Sequence, residues 1–281
     1  MRDIHVDQIS EKVAELFIDA THNLPDDVVA ALERARDSEE SPLGRQIIEE
    51  ILENARLASA EMIPLCQDTG TSVVFVELGQ EVHIVGGMLE HAVNHGVAKG
   101  YTEGYLRKSM VTQPFSARKN TGDNTPAVIH VDLVPGDRLR IKTMPKGGGC
   151  ENMSRMCILL PGQGREGVVN FVLRAVEEAS GNPCPPLVVG VGIGGSAEHC
   201  MALAKKAITR RVGTPNPDVE TADLERELLE KVNALGLGPQ AVGGINTALA
   251  VHVETFPTHI TALPVAVNMQ CHSARIKEAE L

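Results

Sequence analysis

Six cysteines carry the first chemical question this chain raises: Cys66, Cys150, Cys157, Cys184, Cys200 and Cys271. Cys157, in MSRMCILLPG, and Cys200, in SAEHCMALAKK, lie inside apolar, regular-looking segments, where a small buried thiol packs a core. Cys66, Cys184 and Cys271 lie instead at the ends of elements, in PLCQDTG, NPCPPLV and NMQCHSA. Irregular termini of that kind present functional side chains. Cys66 and Cys184 are 118 residues apart, Cys184 and Cys271 a further 87, and there is no C-x-x-C pair. That spacing excludes zinc-finger and ferredoxin patterns. Three isolated thiols can still converge on a metal, and they can equally be structural or nucleophilic. Pro185 and Pro186 after Cys184 fix the backbone there and remove amide donors, as in cluster-binding Cys-Pro runs.

Other groups surround these thiols in sequence. Asp68, two residues after Cys66, is a candidate for handling a proton, although an Asp before Thr69-Gly70 also caps a turn. Lys146-Gly147-Gly148-Gly149-Cys150 follows an expected strand. Successive glycine amides there form either a tight turn or an anion-binding concavity, with Lys146 adding charge. GVGIGGS, residues 190–196, runs from a strand into a helix, but its glycines miss the G-x-G-x-x-G spacing and no P-loop Lys follows. It does not mark a nucleotide site.

The totals exclude some partners. A net charge of −11 and 2% aromatic residues without Trp oppose nucleic-acid binding, which needs concentrated Lys and Arg and stacking platforms. If the ligand is an anion, its positive charge has to be local. The charged, amphipathic N-terminus is no signal peptide, and no apolar run reaches membrane-spanning length. A cytoplasmic protein with reduced thiols is the expectation.

The elements that must position these residues follow from periodicity. Residues 4–20 and 25–60 carry helical spacing, the latter through Ile47, Ile48, Ile51 and Leu52. TSVVFVELG is a buried strand, and a helix follows from Gly86 to Met110. AVIHVDLVPGDRLRIKTM alternates on both sides of Pro135-Gly136-Asp137, a hairpin signal. Further on come a helix over 164–180, a strand in LVVGVGIGG, a helix starting at Ser196, a helix in DVETADLERELLEKVNAL, and two last strands before Cys271. The expected fold is α/β with mixed α+β layers and mixed sheets, not Rossmann, in a single domain over 1–281 with a helical N-terminal region of about 1–60. No linker or repeat breaks the chain.

PLCQDTG, GYLRKS, NTGDNTPA, PKGGGCEN, PCPPLVVGVGIGGSAE and MQCHSAR occur in this order across almost the whole chain. Together they resemble the alpha subunit of the iron-sulfur hydro-lyases, which include two-subunit class I fumarate hydratases and L-tartrate dehydratases. The resemblance implies a 4Fe-4S cluster held by Cys66, Cys184 and Cys271. Cys150 departs from the family's commoner serine and is not counted a ligand. It further implies a small 2-hydroxy dicarboxylate substrate whose hydroxyl is activated by the open iron, with fumarate hydration to malate, a tricarboxylic acid cycle reaction, the leading expectation and L-tartrate dehydration the alternative. Asp68 then handles the proton. Gln67 and Arg107 contact substrate, Lys146 adds charge, and Gly148 and Gly149 offer amides. His272 and Arg275, next to Cys271, either tune the cluster by hydrogen bonding or, the preferred reading, are loop polar residues without a direct role.

The family's site is completed by a second domain, separate as a beta subunit in the two-subunit enzymes. This chain is therefore expected to be inactive alone and to assemble as an alpha2beta2 heterotetramer. A non-catalytic iron-sulfur sensor is the rival, disfavoured because a sensor needs no carboxylate-binding groups such as Asp68 and Arg107. A cysteine hydrolase built on Cys66 would leave Cys184 and Cys271 unexplained.

Overall fold

The computed structural model describes residues 1–281, and the chain divides into two compact units. Residues 1–25, 55–148 and 275–281 build the first, and residues 26–54 and 149–274 the second. Each unit gathers segments distant in sequence, so no Gly- or Pro-rich linker marks the boundary. The architecture is α+β with mixed sheets, as the patterning indicated.

In the first unit, strand β1 (Arg2–His5) pairs in parallel with β3 (Val82–Val85), and helix α1 (Val6–His22) begins directly after it. The helical spacing had included Ile4, which belongs to the strand. His5 makes the switch: its ring accepts the Asp7 amide hydrogen while its own amide donates to Gln8 Oε1, a reciprocal cap that fixes the start of the helix. Ile9, Val13 and Phe17 of α1 pack with Val93 and Val97 of α4 (Leu89–Glu103) over Val74, Val76, Leu139 and Ile141 of the sheet.

That sheet has the order β10-β5-β2-β4, with β2 at Thr71–Gly79, β4 at Val128–Val134, β5 at Leu139–Lys146 and β10 at Lys277–Glu280. The expected hairpin of β4 with β5 does not form. Strand β2 lies between them, parallel to β4 and antiparallel to β5. Its run of Val73, Val74 and Val76 is buried, which a central strand satisfies and an edge strand does not. The Pro135-Gly136 turn still forms, receiving the Glu81 amide on Gly136 O.

In the second unit, two helices, α2 (Asp26–Ser38) and α3 (Pro42–Glu61), the latter belonging to it only up to Asn54, replace the one helix expected over 25–60. Glu39, fully buried, takes the amides of Ser41, Ile245 and Asn246. Pro42 then restarts the helix from its first turn. A sheet of order β6-β9-β7-β8 comprises β6 (Arg155–Leu159), β7 (Leu187–Gly195), β8 (Ala248–Thr258) and β9 (Leu263–Gln270). Helices α6 (Gly164–Ala179) and α8 (Val219–Asn233) pack on one face through Val172, Val176, Leu224 and Leu228.

Helix α7 (Ala197–Ala207) covers the other face, over the glycines of GVGIGG. A Cβ on Gly190 would stand 2.2 Å from Ala204 O, and one on Gly192 2.0 Å from Cys200 O. These glycines exist for helix packing, which is why they miss the dinucleotide spacing. Cys200 is sealed in that contact, and burial pushes its thiol pKa up, as it does for Cys157. Cys200 belongs to the core, and Cys157, partly buried, packs against it.

Candidate active site

The chain leaves α3 at Glu61, turns through Met62 with φ 52°, and enters the irregular stretch that carries Cys66, Gln67 and Asp68. This stretch belongs to the first unit, and five bonds fix it. Asp68 Oδ1 accepts the Gly70 amide at 2.9 Å and Oδ2 the Gly148 amide at 2.7 Å, while Asp68 N points to Cys66 Sγ at 3.4 Å. Arg275 Nη1 donates to Asp68 O at 2.6 Å, and Tyr101 OH donates to Thr69 O at 2.6 Å. Gly70 has φ +80°, and a Cβ there would meet the Lys146 backbone at 2.7 Å, so only glycine lets the turn lie against β5.

The Asp68 carboxylate thus caps its own turn and also clamps the glycine loop. An ionised carboxylate has roughly four acceptor positions. Two backbone amides fix its orientation and leave acceptor capacity for a third group. Gly148, expected to offer its amide to an anion, spends it on Asp68. Gly149 is the neighbouring exposed glycine, close to Asn182 O in the second unit, where its Cβ would lie 3.0 Å away.

Arg107 reaches this turn by an unexpected route. Helix α4 ends at Glu103, four residues short of it, and Tyr105 just beyond takes φ 52°, which turns the chain out of the helix. Arg107 is therefore on irregular chain and not on a helix surface. Its carbonyl accepts Thr69 Oγ1 at 2.7 Å, and its side chain is exposed, as is that of Gln67. Buried Asn124 holds the same segment: Oδ1 accepts the amides of Ser109 and Met110, and Nδ2 donates to Gly70 O and Ser72 Oγ. Lys146 closes the group at the end of β5, its side chain fully buried.

In the second unit Cys184 and Cys271 are brought together. His272, next to Cys271, donates its amide to Cys184 O at 3.3 Å, and its Nδ1 lies 3.1 Å from the same oxygen. Gln240 Nε2 reaches His272 Nδ1 at 3.2 Å and Pro185 O at 2.8 Å. Cys184 itself is left-handed, φ 57°, a conformation costing on the order of 1–3 kcal/mol and concentrated at functional sites. Cys150 is buried, with its Sγ 3.4 Å from Pro183 O. Its neighbour Glu151 binds Lys205 and accepts Asn268 Nδ2 at 3.1 Å.

None of Cys66, Cys184 and Cys271 is in a disulfide, and each is partly exposed. Residue types alone had not marked Tyr101 or Asn124, whose partners are distant in sequence. Arg275, expected to be an idle loop residue, is 1% exposed. Burial pushes Tyr101 up to about 12, which keeps its hydroxyl protonated as a donor.

The family model for fumarate hydratase (Fumerase) matches residues 10–280 of this chain. The chain belongs to the Fumerase family. Among curated members, it is 41% identical over 273 residues to a Methanocaldococcus jannaschii protein provisionally named L(+)-tartrate dehydratase subunit alpha, covering 95% of each chain. It is 35% identical to the L(+)-tartrate dehydratase subunit alpha of Escherichia coli K12, over 96% of this chain and 89% of that one. The Fumerase family is iron-sulfur dependent, and its members' names support hydro-lyase chemistry. No helix of the chain is long and apolar enough to cross a membrane.

Proposed function

We propose that the chain is the alpha subunit of an iron-sulfur hydro-lyase acting on L(+)-tartrate, with Cys66, Cys184 and Cys271 holding a 4Fe-4S cluster. The observation that carries the reading is the Cys66 turn: a thiol, a doubly clamped carboxylate and an arginine segment are tied together by Asp68, Thr69 and Asn124. No three His, Cys, Asp or Glu side chains gather as ligands of one metal ion. A cluster would be held by one thiolate from each of Cys66, Cys184 and Cys271 and not by three ligands on one ion. The donor set fits that group: three undisulfided, partly exposed thiols, one accepting a backbone amide and one in a strained conformation, beside a buried amide without a partner on Gln270.

When bound, such a cluster supplies a Lewis acid that makes hydroxide a viable leaving group. The protein's residues do the rest. Arg107 pairs with a substrate carboxylate through its planar fork. Gln67, exposed beside Cys66, and the amide of Gly149 orient the same dicarboxylate, and Lys146 adds positive charge near it. Asp68, its carboxylate aimed by Gly70 and Gly148, takes the proton from the carbon next to the departing hydroxyl or orients the partner residue that does.

The leading expectation was fumarate. The named relatives favour tartrate, whereas the family model's own description keeps fumarate hydration as the second reading. The relatives' names as alpha subunits support a beta subunit that completes the enzyme, and alpha2beta2 is the assembly proposed. Anaerobically loaded chain, mixed with the beta subunit, is to be assayed on L(+)-tartrate, L-malate and fumarate. The expected result is highest kcat/KM on L(+)-tartrate and no turnover by the chain alone. Preference for malate and fumarate would move the assignment to the second reading, and turnover without a partner would contradict the two-subunit site.

A further inference from the structure

Gln270, the last residue of β9, is 1% exposed, yet neither its Oε1 nor its Nε2 has a hydrogen-bond partner. A buried amide left unpaired is costly, and leucine in the same space would be cheaper. Such a group in a native fold calls for a partner that the polypeptide does not supply.

Its position says where that partner lies. Side chains alternate along β9: Val265, Val267 and Met269 enter the core beneath α6 and α8, whereas Ala266 meets Cys200 and Ala204 on the opposite face. Asn268 shares that opposite face, where its Nδ2 binds Glu151 and Ser154. Gln270 follows it there, about 7 Å further along the strand. The next residue is Cys271. Across the sheet Gln270 pairs with Val188, at the start of the strand that Cys184 leads into, and the His272 amide ties Cys271's neighbour to Cys184 O. The unpaired amide therefore sits at the strand end where Cys184 and Cys271 are tethered, on the face that also carries the Cys150–Glu151 turn.

We infer that Gln270 donates its Nε2 hydrogen to sulfur of the cluster held through Cys184 and Cys271, a positioning and tuning residue. The inference rests on the cluster reading above. Hydrogen bonds to cluster sulfurs favour the reduced, more negative state and raise the reduction potential. They also couple the amide to cluster occupancy, so the same substitution should act oppositely on the two forms of the protein.

The test uses the complete complex in its chelated and its anaerobically loaded forms, comparing wild type with Gln270→Leu, and with Gln270→Met should the leucine variant not fold. With the amide removed, the cluster-free complex should melt at a higher temperature. The loaded complex should show no such gain, lose its iron several-fold faster in air, and shift its midpoint potential to more negative values. An equal rise in melting temperature in both forms with an unchanged potential would overturn the inference, since it would mean the amide has no cluster partner. Anaerobic iron and sulfide analysis of the wild type separates the two failures: a wild type without acid-labile sulfide sinks the cluster reading as well, whereas a loaded wild type beside an indifferent variant sinks Gln270 alone.

Discussion

At the scale of single residues, the site depends on side chains that join segments far apart in sequence. Thr69 is the clearest. Its hydroxyl donates to Arg107 O, and it is 1% exposed. Thr69→Val keeps the shape and removes the bond, leaving a carbonyl unpaired, which should cost about 1 kcal/mol of stability. On the proposed reading the bond holds the backbone of the carboxylate-binding Arg107 and not Asp68, so KM for the dicarboxylate should rise several-fold with kcat little changed, and Thr69→Ser should restore it. Steady-state kinetics of the loaded complex read this split. Cys66 and Asp68 could be singled out from the sequence as candidates because they stand together in one short motif. The roles of Tyr101 and Arg275 could not be read there, since a buried tyrosine hydroxyl or guanidinium acquires its role only when a partner 32 or 207 residues away arrives.

At the scale of elements, the glycines of β7 show what close approach requires. Gly190→Ala would drive a methyl into the backbone of α7 at Ala204 O. Backbone cannot yield as a flexible side chain does, so a loss of more than about 3 kcal/mol is expected. Gly162→Ala, with nothing within 4 Å, should be near neutral, and paired melting curves of the two variants measure the contrast. Strand and helix types were largely readable from period, as in β2 and α8. Pairing was not. The alternation of β4 and β5 announced two strands but could not say that β2 would come between them, because partner choice depends on which strand most needs burial on both sides. The break between α2 and α3 was missed for a related reason: Glu39 ends the helix with amides from residues 245 and 246.

At the scale of the whole molecule, folding stability should carry a pH signature from a buried histidine in the second unit. Burial, aided by the Arg210 charge, pushes His252 down to about 4. Its unfolded value is near 6.5, so between those values the unfolded chain binds the proton and the folded one does not. The stabilisation is complete above about pH 6.5 and is lost as pH falls toward 4. Between pH 7 and pH 5 it amounts to about 2 kcal/mol. Urea denaturation at the two pH values should show this loss in the wild type and a flatter response in His252→Gln.

The division into two units was not legible, since each is stitched from segments without a compositional seam. The family, by contrast, was written across the chain in its ordered motifs. The most direct test of the whole reading is chemical: iron and acid-labile sulfide in the anaerobically reconstituted protein, wild type beside Cys184→Ser. The expected result is about four irons and four sulfides per wild-type chain, with a marked loss in the variant. A wild-type protein that takes up no sulfide, or a variant that loads as fully as the wild type, would contradict the reading.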